Sequence, residues 1–104
     1  MQTPPAAGSR PIVMTEIDQF GGAERSVVAL SRWLYQQGRP NHLVTYFDHC
    51  NLARYAPHPL QVIELNPAPR ARNKIAALRG YFREHPSPKP LLSGYQPALH
   101  ATLA

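Results

Sequence analysis

A short apolar segment, two adjacent glycines and an amphipathic segment follow one another near the start of the chain. The segment PIVMTEI (11–17) has the apolar run of a buried parallel strand, and a loop over 18–22 follows it. Residues 23–37 carry apolar side chains at helical spacing, and Gly38 stands where a helix-terminating glycine belongs. This order predicts a strand, a ligand-accessible loop and a helix whose buried stripe is Ala23, Val27, Leu30 and Leu34.

The rest of the sequence continues the alternation of strands and helices. It predicts strands over 42–47, 60–65 and 91–95, with a loop or one short helical turn between the first two of them. It also predicts a helix over 70–85 that contains Gly80, and another helix that starts near Pro97. Residues 1–10 are predicted to be a flexible tail. The predicted fold class is α/β, with a doubly wound, largely parallel, Rossmann-like sheet of about four strands in a single unit over 11–104.

Composition limits the size of the core, the cellular location and the kinds of partner that the protein can have. The 104 residues with one cysteine, Cys50, allow one modest core and no internal disulfide. No apolar run has the length of a membrane span, and the first ten residues lack the pattern of a signal peptide. We therefore expect a cytoplasmic location. The net charge of +5 leaves phosphate ligands, nucleic acid and anionic membranes open as partners.

Ligands of parallel α/β sheets bind beyond the carboxyl ends of the strands, which selects the loops 18–22, 48–51 and 94–97. In the first loop, Gly21 and Gly22 precede a helix whose N-terminal N–H groups attract anions. Two interpretations exist for these glycines. They form a tight turn with positive φ, or they let an anion approach the backbone closely.

The segment FGGAERSVVALSRWLYQQGRPNHLVTY, together with the strand before it, resembles the N-terminal segment of family-4 glycosyltransferases of the GT-B fold. The family motif Gly-Gly-Ala-Glu-Arg is matched by Gly21, Gly22, Ala23, Glu24 and Arg25. The resemblance is specific over 11–47, and the later order of VIELN, a basic helix and LLSGYQP continues the same layout.

This resemblance implies a retaining transferase that moves a sugar from a nucleotide-sugar donor to a glycan or lipid-linked acceptor. It implies no cofactor and no metal, with the nucleotide sugar as co-substrate. Gly21 and Gly22 would lie near the donor phosphates or the transferred sugar, and this domain would mainly hold the acceptor. A GT-B enzyme needs a second Rossmann-like domain, so the chain is expected to be an incomplete N-terminal domain without activity of its own.

One loop departs from the family pattern. Many relatives carry a histidine after the fourth strand, whereas this chain has Tyr95 and Gln96 there. Both side chains can form a hydrogen bond with a sugar hydroxyl, and His100 lies one helical turn beyond. These three residues are candidate sugar or acceptor contacts.

Other patterns give weaker candidates. Arg72, Arg79 and Arg83 form one stripe of the second long helix, which is either a solvated face or a surface for an anionic membrane leaflet at the inner face of the membrane. The five histidines lack metal-ligand spacing, so no metal site is expected. Cys50 beside His49 is interpreted as structural, because neighbours on an extended segment point apart.

A non-enzymatic basic α/β module that binds nucleic acid or a protein is the alternative function. Nucleic-acid modules usually interleave aromatic and basic residues on one surface. Most of the aromatics in this chain fall in predicted core elements, which favours the transferase and argues against nucleic acid as a partner. The aromatics in question are Trp33, Tyr35, Tyr46, Phe47, Tyr81 and Phe82.

Overall fold

The computed structural model describes residues 4–68, 70–85 and 91–92. Within them the chain forms an α/β structure with two helices and a parallel sheet. The elements in chain order are β1 (Arg10–Val13), β2 (Glu16–Ile17), α1 (Gly22–Gln36), β3 (Asn41–Thr45), β4 (Phe47–Asp48), a 3₁₀ turn (Leu52–Tyr55), β5 (Val62–Glu64), α2 (Ala71–Glu84) and β6 (Leu91–Leu92).

The main sheet has four strands in the order β5-β3-β1-β6, and all three neighbouring pairs are parallel. The chain builds outward from β1 to β3 and β5 and then returns to place β6 on the other side of β1. The order of the strands therefore reverses beside β1. Counted along the main sheet the order is 3-2-1-4, which is that of the first four strands of a doubly wound dinucleotide-binding fold, in which ligands bind at the reversal.

The first and second predicted strands are each divided in two. Beyond the main sheet, β2 and β4 form a second parallel pair. Val13 pairs with Val44 and Glu16 with Phe47, so the offset between the two strands stays at 31 residues (44 − 13 and 47 − 16). The interruption falls where the Thr45 hydroxyl donates to the carbonyl oxygen of Thr15 at 2.9 Å. The pairing of β1 with β3 thus continues in the same register as the pairing of β2 with β4, up to the start of the first loop.

Each face of the sheet carries its own apolar core. Ile12 and Leu43 face the cluster that contains Val27 and Leu34 of α1. Their neighbours Val13 and Val44 face the cluster that contains Leu78 and Tyr81 of α2. The two helices therefore cover opposite faces, as parallel sheets require.

The helices predicted over 23–37 and 70–85 are confirmed to within one residue at each end, and the helix predicted to start near Pro97 lies outside the described residues. Gly38 has φ of +72° and follows α1 directly after Gln37. The N–H of Gly38 donates to the carbonyl of Tyr35 and that of Arg39 to the carbonyl of Leu34, which is the hydrogen-bond pattern of a Schellman motif. Between the second and third predicted strands, where the sequence predicts either a loop or one short helical turn, the chain forms the 3₁₀ turn.

The predicted stripe of α1 is partly wrong. Val27 and Leu34 are buried, but Ala23 is exposed and Leu30 is 38% exposed. The buried side chains of α1 are Val27, Val28, Ser31 and Leu34. Ser31 takes the place of Leu30 in the buried stripe, and its hydroxyl has a partner there because it donates to Asn41 Oδ1 at 2.5 Å.

A buried histidine joins three parts of the molecule. The Nδ1 of His42 forms a hydrogen bond with the Ser9 hydroxyl at 2.8 Å, and its Nε2 forms one with the Tyr81 hydroxyl at 2.6 Å. Burial, and to a smaller extent the nearby His85, lowers the pKa of His42 to about 4. The ring is therefore neutral at pH 7 and connects the segment before β1 to β3 and α2.

No helix in the described part of the chain has the length and apolar character needed to cross a bilayer.

Protonation of His42 makes stability depend on pH. Because the folded-state pKa lies below the unfolded value of about 6.5, stability is complete above pH 6.5 and declines as pH falls toward 4. A difference of this size corresponds to about 3 kcal/mol of unfolding free energy. Urea unfolding at pH 7 and pH 4.5 should show the loss. His42→Gln should remove most of this pH dependence, and an unchanged dependence in the variant would contradict the assignment.

Candidate functional site

The Gly-Gly loop lies at the point where the strand order reverses. It leaves the carboxyl end of β1 through β2 and enters α1 at Gly21 and Gly22. The pairing of β2 with β4 holds the approach to this loop, and the N–H of His49 extends the pairing by donating to the carbonyl of Ile17 at 2.8 Å. The first of the three predicted ligand loops is therefore anchored up to the residues before the glycines.

Neither glycine is required by backbone conformation. Gly21 has φ of −103° and ψ of −159°, which is extended backbone, and Gly22 is the first residue of α1. Among the described glycines, positive φ occurs at Gly8 and Gly38. The interpretation of the pair as a turn that needs positive φ is therefore wrong.

The missing side chains leave space at the helix N-terminus. A Cβ built on Gly22 would have no heavy atom within 4 Å, whereas one on Gly21 would lie 3.2 Å from Glu24 Oε1. Gly22 is exposed, so the first turn of α1 opens to solvent on this side.

Few acceptors serve the N–H groups of this turn. The N–H of Gly21 donates to Glu24 Oε1 at 2.9 Å, and the N–H of Arg25 makes the first bond of the helix, to the carbonyl of Gly21. The N–H groups of residues 22–24 have no carbonyl in a preceding turn to bond. Since Gly21 has no side chain, it cannot cap them as a serine or aspartate would.

In the second predicted ligand loop, 48–51, the Asp48 side chain is engaged in a hydrogen bond to the backbone that follows the loop. Both carboxylate oxygens of Asp48 accept from the N–H of Leu52, at 3.1 and 2.9 Å, and Asn51 adopts φ of +54° before the 3₁₀ turn. Burial and the neighbouring Asp48 raise the pKa of the Cys50 thiol. Cys50 is thus a poor nucleophile, in agreement with its interpretation as a structural residue.

The third predicted loop, 94–97, lies outside the described residues. Tyr95, Gln96 and His100, the candidate sugar or acceptor contacts, lie outside them as well. Their roles stay predictions.

Linear spacing missed a group of possible metal ligands beside the first loop. One ligand atom from each of Glu16, Asp18 and His49 lies within 4.8 Å of the others, and His49 Nε2 is 3.7 Å from Asp18 Oδ1. A histidine with two carboxylates could hold a divalent cation such as Zn²⁺ or Mn²⁺. The parallel pairing of β2 with β4 brings these residues together from distant parts of the chain, so the spacing of histidines along the sequence gives no sign of the group.

A serine and a histidine also meet under α1. The Ser31 hydroxyl lies 2.9 Å from His58 Nε2, and burial together with Arg32 lowers the pKa of His58. Ser31 is fully buried and gives its proton to Asn41, so its oxygen is not a nucleophile for a substrate. The contact ties α1 to the segment between β3 and β5.

The predicted basic stripe lies away from the glycine loop. Arg72, Arg79 and Arg83 are exposed on α2, which packs on the face of the sheet opposite α1. The structure therefore does not bring them together with Gly21 and Gly22.

Two aromatic residues expected in the core are half exposed. Trp33 and Tyr35 each expose 51% of their surface, whereas Tyr46 and Tyr81 are buried. Phe47 and Phe82 are partly buried.

No family model matches the chain, and no curated protein or solved structure matches it.

Glycine-to-alanine substitutions separate conformational glycines from open ones. Gly22→Ala and Gly80→Ala should leave stability unchanged or raise it by up to about 1 kcal/mol, because both sites are helical and have space for a Cβ. Gly38→Ala should cost roughly 1–2 kcal/mol, since alanine resists positive φ. Thermal unfolding of the three variants measures the difference. A loss at Gly22→Ala equal to that at Gly38→Ala would mean that Gly22 serves the turn.

Proposed function

We propose that this chain is the acceptor-side, N-terminal part of a retaining glycosyltransferase, and that the diphosphate of the nucleotide-sugar donor binds at Gly21 and Gly22. The proposal rests on the resemblance over 11–47 together with the geometry of the first loop. It requires a second domain to supply the rest of the donor site and the acidic residues.

The observation that carries the proposal is the open helix N-terminus beside the reversal of strand order. A conformational reason for two consecutive glycines is absent, since neither has positive φ. Close approach of a ligand to the backbone then accounts for Gly22, where a Cβ would meet no heavy atom within 4 Å, whereas at Gly21 a Cβ would lie 3.2 Å from Glu24 Oε1. An anion suits this place, because the free N–H groups and the helix dipole present partial positive charge.

Magnitudes indicate which part of the reaction the loop serves. A charge at a helix N-terminus gains typically 0.3–1 kcal/mol, and up to about 2 kcal/mol in partly buried geometry. That is far less than the roughly 8 kcal/mol of micromolar binding. The loop is therefore suited to orienting a diphosphate whose affinity comes mainly from the second domain.

Glu24 sets a limit on how the anion binds. Its carboxylate already accepts from the N–H of Gly21, so a phosphate would use the N–H groups of Gly22 and Ala23. The same carboxylate repels an anion that comes too close to Gly21. Both effects direct the ligand toward Gly22, where no side chain intervenes.

Replacing Gly22 by valine tests the proposal in an enzyme assembled from this chain and its second domain. The branched side chain would occupy the space left for the diphosphate, so turnover should fall at least a hundredfold while donor binding falls much less. Gly80→Val is the matched control, because a Cβ at that helical position also meets no atom within 4 Å. Circular dichroism must show both variants folded. Undiminished transfer by folded Gly22→Val would refute the donor site.

A membrane-facing role for α2 is a separate part of the proposal. Arg72, Arg79 and Arg83 should increase binding to anionic vesicles, where each cation gains roughly 1 kcal/mol near the surface. Sedimentation with phosphatidylserine vesicles should therefore pull down the protein more than neutral phosphatidylcholine vesicles do, and replacement of the three arginines by glutamine should remove the difference. Equal sedimentation with both vesicle types would exclude this role.

A further inference from the structure

A surface groove runs along the outer side of α1 and begins at the glycine loop. It has a volume of about 600 Å³, and Val28 and Ala29 of α1 contribute to its lining. Its other lining residues are Phe20, Arg25, Arg32, Trp33, Gln36 and Pro57. Phe20 directly precedes Gly21, so one end of the groove adjoins the proposed donor site.

The short connection between β3 and β5 explains why this side of α1 is open. That connection contains a single 3₁₀ turn, Leu52–Tyr55, where a longer crossover would place a second helix beside α1. Trp33 consequently stays 51% exposed. A half-exposed tryptophan in an apolar groove is a surface suited to binding.

The groove is also cationic. Neither Arg25 nor Arg32 has a carboxylate partner among the residues that the structure describes, and none of the groove-lining residues is acidic. The Arg25 guanidinium lies 5.1 Å from the centre of the Phe20 ring, which holds it at the end of the groove near the glycines. An occupant should therefore carry negative charge and an apolar surface.

From these features we infer that the groove binds an anionic oligosaccharide, a glycan acceptor that contains uronic acids. This inference rests on the proposed function and names the acceptor class. A pyranose ring offers an apolar C–H face to Trp33, and a uronic carboxylate can accept two parallel hydrogen bonds from a guanidinium. An acceptor lying in the groove would have one end beside Gly21 and Gly22, where the donor is proposed to bind.

The small number of cations and free aromatic rings in the groove favours a glycan over a nucleic acid. Arg25 and Arg32 are seven residues apart on α1, which is about 10 Å along the helix axis. A surface that binds a nucleic-acid strand usually stacks successive bases on several free aromatic rings. In this groove Phe20 is already stacked on Tyr55 with ring centres 4.4 Å apart. Two well-separated cations and one free aromatic ring fit a polymer with charges on alternate sugars.

Trp33 is the only tryptophan in the chain and therefore reports on the groove directly. The probe is a hexasaccharide of alternating glucuronic acid and N-acetylglucosamine, added to the full 104-residue chain while Trp33 fluorescence is followed. We expect saturable binding, at least tenfold tighter than that of the neutral N-acetylglucosamine hexamer. A thymidine hexanucleotide serves as an anion of another class and should bind more weakly than the acidic hexasaccharide.

Matched arginine variants distinguish binding in the groove from a general attraction to the positive net charge of the protein. Arg25→Gln with Arg32→Gln should weaken hexasaccharide binding at least tenfold, whereas Arg72→Gln with Arg83→Gln removes the same charge from α2 and should change it less than twofold. All four side chains are exposed, and circular dichroism checks that both variants are folded. Equal losses in the two variants would show that only net charge matters and would overturn the inference.

Other results would overturn it as well. These are an absence of saturable binding, equal binding of the neutral hexamer, or tighter binding of the oligonucleotide, which would support a nucleic-acid module instead. Gly22→Val should leave hexasaccharide binding intact. If Gly22→Val abolishes transfer but the acidic hexasaccharide does not bind, the donor site stands and the acceptor class is wrong. If the hexasaccharide binds but Gly22→Val transfers normally, the groove stands and the donor site is wrong.

Discussion

The parallel pairing of β1 with β3 is the constraint on which the rest of the molecule depends. A parallel pair needs a long crossover, and its two faces must both be covered. The alternation of Ile12 with Val13 and of Leu43 with Val44 supplies an apolar surface to each face. Helix α1 covers one face and α2 the other, and the return of the chain to β6 then leaves β1 at the centre of the sheet.

The same pairing determines where ligand chemistry can occur. It continues past the main sheet as β2 and β4 with an unchanged register, so it brings residues near 18 and 49 to one edge. The N-terminus of α1 opens at this edge, with Gly22 exposed. Three features adjoin this edge, although they come from separate parts of the sequence. They are the proposed donor loop, the group formed by Glu16, Asp18 and His49, and the end of the α1 groove.

Much of the fold could be predicted from local patterns. Helical spacing with Gly38 at the end placed α1 to within one residue, because the left-handed glycine and the apolar stripe are local signals. The same reasoning recovered α2 in spite of Gly80, since one glycine costs only about 1 kcal/mol in a helix. The division of the first two strands was not predicted. It coincides with the hydrogen bond from the Thr45 hydroxyl to the Thr15 carbonyl, a contact between distant parts of the chain.

The site was harder to predict, because its parts meet only in three dimensions. The motif selected Gly21 and Gly22 as candidates, and their backbone angles were needed to exclude a positive-φ turn. Apolar spacing favoured Leu30 over Ser31 for the buried stripe, because the partners of Ser31 lie on other segments. The exposure of Trp33 follows from the short connection between β3 and β5, which leaves that side of α1 uncovered.

Backbone amide chemical shifts test the central claim, anion binding at the open N-terminus of α1, most directly. Inorganic pyrophosphate is titrated to millimolar concentration into the ¹⁵N-labelled chain, a range suited to a weak site. We expect the largest shifts at the amides of Gly22 and Ala23, little change at Gly38 and Gly80, and loss of the response in Gly22→Val. Shifts confined to the arginines of α2, or an unchanged response in Gly22→Val, would contradict it.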